Sequence, residues 1–208
     1  MTSARSARAA ERAGADRVEL CARLETGGLT PAAHTLDATR RATRCPVHVL
    51  VRPHARGFVY DHRARARIST GILLAQAGGA QGVVLGALTS HGLVDVELMA
   101  DLIAASRPLR VTFHRAFDTI RQRDAALEAL IAVGVDHVLT SGGAGTAADG
   151  AGELAELVRR ARGRIGIIAA GRVRGSNVQA LVAATGVPAV HAHTPAADLR
   201  ALARALGR

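Results

Sequence analysis

Lysine is absent from this 208-residue chain, so all 27 basic residues are arginine. That absence closes one route at once, because catalysis through a Schiff base needs a lysine amine. Tryptophan is absent too, and aromatics make up only 2% of the residues, so the core must be built from Leu, Val, Ile and Ala. The net charge of +10 raises the question of nucleic acid. A nucleic-acid surface clusters its cations and interleaves aromatic side chains for stacking. Here the arginines are scattered through helical segments, so the expected partners are small anions rather than nucleic acid. Cys21 and Cys45 are the only cysteines, too few for a disulfide scaffold. No run approaches the ~20 apolar residues of a membrane span, and there is no secretory hydrophobic segment. The expectation is a cytoplasmic protein without a membrane partner. The Arg/Ala/Ser-rich opening reads as a surface helix with Ala4, Ala7, Ala10 and Ala13 along one face.

What is present is a globular composition, 49% hydrophobic, at a length that fits one domain over residues 1–208 with a substantial core. Short Val/Ile/Leu runs alternate with helical patterns. The patterns predict helices over 3–14, 32–43, 62–78, 96–105, 125–133, 150–162, 176–184 and 196–206. Between them, strands are predicted at 17–21, 46–52, 81–86, 110–114, 137–140, 164–169 and 189–192. Thr30 reads as an N-cap with Pro31 at the first helical position. Asp95 and Asp124 read as caps of the helices that follow them. Strict alternation means βαβ units and a parallel sheet, and a repeat near thirty residues suits a TIM (β/α) barrel. Seven strands are visible where a closed barrel has eight, so the expectation is an incomplete barrel whose first strand is missing. Open sheet edges predict lower stability, or closure through another copy in a homo-oligomer.

The chemistry concentrates at the strand exits. Val111-Thr112-Phe113-His114-Arg115-Ala116-Phe117-Asp118 runs a buried strand straight into three active side chains, an arrangement costly to bury without purpose. Other exits supply Glu19, Cys21, Arg52, Ser141, Gly171 and His191. Glu19 in an apolar strand needs a partner, and Arg52 or Arg115 is the natural one. It serves as a structural ion pair or as an acid/base. Arg115 and Asp118 form a salt bridge that shapes the loop, or belong to the site. His114 and His191 are either structural or functional, whereas mid-strand His48 reads as buried structure. The Ser141-Gly142-Gly143 loop and the Gly171 turn offer backbone N–H groups suited to phosphate or carboxylate. No zinc-type ligand spacing is present. Cu(I) prefers sulfur; Cys21 is available for it, and Cys45 falls at the opposite end of the barrel.

Several segments together resemble the CutC family of copper homeostasis proteins: Ala15-Asp16-Arg17-Val18-Glu19-Leu20-Cys21, Gly27-Gly28-Leu29-Thr30-Pro31, Pro46 to Pro53, Val111 to Asp118, and Leu139-Thr140-Ser141-Gly142. The resemblance runs in register from residue 3 to about 194. It implies a TIM-barrel-like fold, a cytoplasmic location and a role in copper handling or tolerance. It carries over Glu19, Arg52, His114, Arg115 and Asp118 as mouth residues and Cys21 as the strand cysteine. The family's opening strand, with its Glu-Val-Cys element, has no counterpart here, which removes a second cysteine near Cys21. Two readings follow. One is a copper homeostasis protein in which Cys21 is the sulfur donor for copper. The other is an enzyme for a small anionic or phosphorylated ligand. There Arg52 and Arg115 clamp the anion, with Asp118 beside them. Glu19 or His114 moves a proton, and Ser141, Gly142 and Gly171 hold phosphate.

Overall fold

The computed structural model describes residues 1–207. In chain order the elements are α1 (Ala4–Arg12), β1 (Val18–Leu20), α2 (Ala33–Ala42), β2 (Val47–Leu50), α3 (His62–Ala77), β3 (Gly82–Leu85), α4 (Val96–Ser106), β4 (Arg110–Phe113), α5 (Arg123–Ala132), β5 (His137–Thr140), α6 (Ala151–Ala161), β6 (Gly166–Ala170), α7 (Val178–Thr185), β7 (Ala189–His191) and α8 (Ala196–Ala205). Single 3-10 turns occupy Leu24–Thr26 and Arg115–Thr119. All seven strands are parallel and pair in sequence order. The incomplete barrel expected from the strand count is what forms, with β1 and β7 as its edges. On the outer side of β1, Met1 makes one parallel rung. Its ammonium donates to the Glu19 carbonyl at 2.6 Å, and its carbonyl accepts from the Cys21 N–H at 2.8 Å.

The two-residue period of a strand sorts side chains onto two faces. Val18, Leu20, Val47, Val49, Val83, Leu85, Val111, Phe113, Val138 and Ile167 join Leu36, Ile68, Ile72, Leu102, Leu127, Leu154 and Leu181 of the helices in the main core. The opposite parity points into the barrel. There Cys21, Leu50 and Val84 form one small cluster, and Leu139, Ile168 and Ala170 form another. With little aromatic bulk available, histidine is set against glycine across neighbouring strands on this face. A Cβ on Gly82 would come within 2.5 Å of the His48 ring, and one on Gly166 within 2.6 Å of the His137 ring.

Asp61 and Asp95 cap α3 and α4 by accepting from Ala64 N at 2.8 Å and Leu98 N at 3.1 Å. Two expected caps are not made. The Thr30 hydroxyl donates to the Arg52 carbonyl and accepts from the Arg52 N–H. It ties a loop to the end of β2, and α2 starts after Ala32 instead. Asp124 lies inside the first turn of α5, behind an N-cap at Gln122. There a carboxylate still complements the helix dipole, and it pairs with Arg160 at 3.1 Å.

Candidate functional site

β4 delivers His114 to the barrel mouth, where two phenylalanines enclose it. The ring centroids of Phe58 and Phe113 lie 4.9 and 5.8 Å away, and His114 is buried. Burial, reinforced by the charge of Arg52, lowers its pKa to about 3, so the imidazole is neutral. Its Nδ1 accepts from Ala116 N at 3.2 Å, which assigns the proton to Nε2; that atom has no partner. Arg52, two residues past β2, is buried as well. Its guanidinium donates to the carbonyls of Thr26, Gly28 and Ala55, each at 3.3 Å, and lies 4.9 Å from the Phe58 ring centre. Arg52 therefore fastens the Gly27-Gly28 loop and the Ala55 turn to the mouth.

Arg115 and Asp118 meet at 2.6 Å in the turn after β4, and Arg115 also donates to the Ser141 hydroxyl at 2.9 Å. Asp118 Oδ1 accepts from the Thr140 hydroxyl at 2.5 Å, Ser141 N at 2.9 Å and Gly143 N at 3.2 Å. The Gly142 N–H goes to the Thr140 hydroxyl. Amides that the sequence offers as an anion cradle are thus donating within the chain. Gly171 adjoins this network. A Cβ there would lie 3.2 Å from that of Ser141, and its carbonyl accepts from Ala147 N.

Glu19 and Cys21 face elsewhere. They line a cavity of about 990 Å³ inside the sheet, bounded on either side of the open edge by β1 and by Ala189, Val190 and His191 of β7. Glu19 does not pair with Arg52 or Arg115, as expected from the sequence, because both guanidiniums are engaged by loop groups. Its carboxylate lies 3.7 Å from His191 Nδ1 across the edge. Cys21 is packed with Leu50 and Val84, and burial pushes its thiol pKa up. Cys45 donates its S–H to the Ala15 carbonyl at 3.0 Å, on the N-terminal side of the strands.

The strand-exit residues therefore fall into three groups. Arg52 and His114 share Phe58; Arg115, Asp118, Ser141, Gly142 and Gly171 share one network; Glu19 and Cys21 share the cavity, whose walls do not include Arg52, His114 or Arg115. Among the described residues, no cluster of three or more His, Cys, Asp or Glu could hold a metal ion. The sequence reading missed Phe58, which covers both His114 and Arg52. It also missed Arg17, Thr112 and His137 among the cavity's polar lining. Strand parity was the available signal, since Arg17 shares a face with Glu19 and Cys21, Thr112 with His114, and His137 with Leu139.

The family model for the CutC family matches residues 1–196. A copper homeostasis protein cutC homolog from Homo sapiens is 41% identical over 189 residues, covering 91% of this chain and 69% of the relative. A CutC family protein from Xanthomonas campestris is 44% identical over 187 residues, 90% of this chain and 78% of the relative. The crystal structure of CutC from Streptococcus agalactiae superposes with a TM-score of 0.82 at 31% identity, covering 85% of this chain and 87% of that one. A thiamine phosphate pyrophosphorylase from Pyrococcus furiosus shares the fold alone, with a TM-score of 0.66 at 16% identity over 98% of this chain and 89% of its own. With the family model covering nearly the whole chain and identities above 40% over nine-tenths of it, this chain belongs to the CutC family.

Proposed function

We propose that this protein serves copper homeostasis in the cytoplasm by taking up Cu(I) as cargo, with Cys21 as the sulfur donor. The observation that carries the reading is the position of Cys21, which lines the same cavity as Glu19 near the open edge. Cu(I) favours thiolate and thioether sulfur. Binding exchanges the thiol proton for the ion, and the raised thiol pKa makes that exchange dependent on a soft, strongly competing metal. No helix among the described residues is long and apolar enough to cross a bilayer.

The test is an anaerobic Cu(I) titration against a competing chelator. One equivalent is expected to bind the native chain and Cys45→Ala, and to be lost in Cys21→Ala. Binding that persists in Cys21→Ala removes the thiol from the site. An acid/base enzyme using Glu19, Arg52, His114 and Arg115 on a small anion has weaker support. Arg52 is engaged by three carbonyls, His114 is enclosed, and the Ser141 and Gly143 amides already donate to Asp118.

A further inference from the structure

The N-terminal half of the cavity contains polar groups that neither the fold nor the copper reading uses. Three arginines line the cavity: Arg17, Arg110 and Arg164. Arg110 pairs with Asp136 at 2.7 Å and Arg164 with Glu128 at 2.6 Å. Arg17, half-buried just before β1, has no hydrogen bond or ion pair among the described residues; its acidic neighbours Glu19 and Asp16 act on it only at longer range. Two nearby polar atoms are buried without partners, Thr112 Oγ1 and His137 Nδ1. They come from residues directly opposite each other in the β4–β5 register. Thr112 is only 3% exposed and lines the cavity. His48 completes the group. It too lines the cavity, and both imidazoles sense the Arg17 charge.

The cavity's acids leave the Arg17 donors open, since Glu19 and Asp16 act on it through space only. Asp136 accepts from Arg107, Arg110 and the Val111 N–H, and Glu19 lies against His191. A buried hydroxyl and a buried ring nitrogen left unpaired each cost free energy that a ligand would recover. Beside a guanidinium whose N–H donors have no acceptor among the described residues, these groups suit an anionic oxygen rather than a cation.

We propose that the N-terminal half of the barrel cavity is a binding site for a compact oxyanion, a carboxylate or a phosphate. Arg17 supplies the charge, and Thr112, His137 and His48 supply hydrogen bonds. The site lies at the opposite end of the strands from the mouth residues and does not involve Cys21, so it stands or falls independently of copper.

Inorganic phosphate and malonate are the two probes, each titrated into the full chain. Binding is followed by calorimetry and by the imidazole proton resonances of His48 and His137. At least one probe is expected to bind saturably and to shift both histidines. Arg17→Gln should weaken that binding about tenfold, as loss of a charge-assisted contact does. Thr112→Val, close in shape, should weaken it less, and it carries the test if Arg17→Gln fails to fold. Arg67→Gln, which removes an exposed positive charge on α3, should leave it unchanged. Phosphate binding alone identifies a phosphoryl ligand, and malonate binding alone identifies a carboxylate. No saturable binding of either probe overturns the proposal. So does equal weakening by Arg67→Gln, or binding undiminished in both cavity variants.

Discussion

Histidine is used here as a packing residue. His48 and His114 are buried, and burial lowers each pKa to about 3. Each also faces a glycine on the neighbouring strand, Gly82 and Gly86 respectively. The consequence for pH follows from linkage. The folded-state pKa of each ring lies below the unfolded value of 6.5, so between those limits the unfolded chain binds more protons. The stabilisation is fully present above 6.5 and is lost as pH falls toward 3. The expected slope is on the order of 1.4 kcal/mol per pH unit for each ring. Urea unfolding followed downward from neutral pH should show this loss before the carboxylates begin to titrate, and His48→Gln should reduce the slope. A profile flat through the upper half of that window would mean that these rings can be protonated without opening the core. The buried state of His48 was legible from its place in mid-strand. That of His114 was not, because a strand exit is ordinarily wet and the cover comes from Phe58, fifty-six positions away in sequence.

At the scale of elements, the turn after β4 and the loop after β5 are held together by one carboxylate. Asp118 accepts from Arg115, Thr140, Ser141 and Gly143, while its side chain is only 11% exposed. Removing it leaves two amides, a hydroxyl and a guanidinium short of partners. Asp118→Ala should therefore destabilise the fold by about 2–4 kcal/mol. In the same variant the Ser141 and Gly143 amides should lose hydrogen-exchange protection first. If those amides exchange as slowly as in the native chain, the loop is held by something other than Asp118. The sequence showed the Arg115–Asp118 pair and the glycine-rich loop, but as separate features. Their connection depends on β4 and β5 being neighbours in register, which local pattern does not encode. The same limit explains Thr30. Thr-Pro before a helical run is a sound capping signal, yet the hydroxyl is taken by Arg52 across the β1–β2 connection. Asp61 and Asp95 keep one carboxylate oxygen for the helix and cap it, Asp95 while its other oxygen pairs with Arg65.

For the molecule as a whole, strand number and order were legible because every strand is short, apolar and followed by a helix of its own. Strand order then follows sequence order. What local pattern could not supply was the content of the barrel. The cavity collects Arg17, Glu19, Cys21, His48, Thr112, His137 and His191 from five strands and a strand approach, and only the curling of the sheet makes them neighbours. The open edge sets how stability is distributed. β4 has a partner on both sides, and three of its four residues are buried. β7 pairs only with β6, and none of its three residues is fully buried. Local opening should follow that gradient. Amide exchange is expected to be slowest in β3–β5 and faster toward β7, with opening free energies at the edge lower by a few kcal/mol. Repeating the measurement across protein concentrations separates two ways of living with an open edge. Protection at β7 and β1 that is independent of concentration describes a monomer with a frayed seam. Protection that rises with concentration, together with a matching change in sedimentation, describes a seam covered by a second copy. Amides of β7 as slow as those of β4 at every concentration would contradict both, because a strand paired on one side only, with no buried residue, has little in this fold to hold it to the global stability.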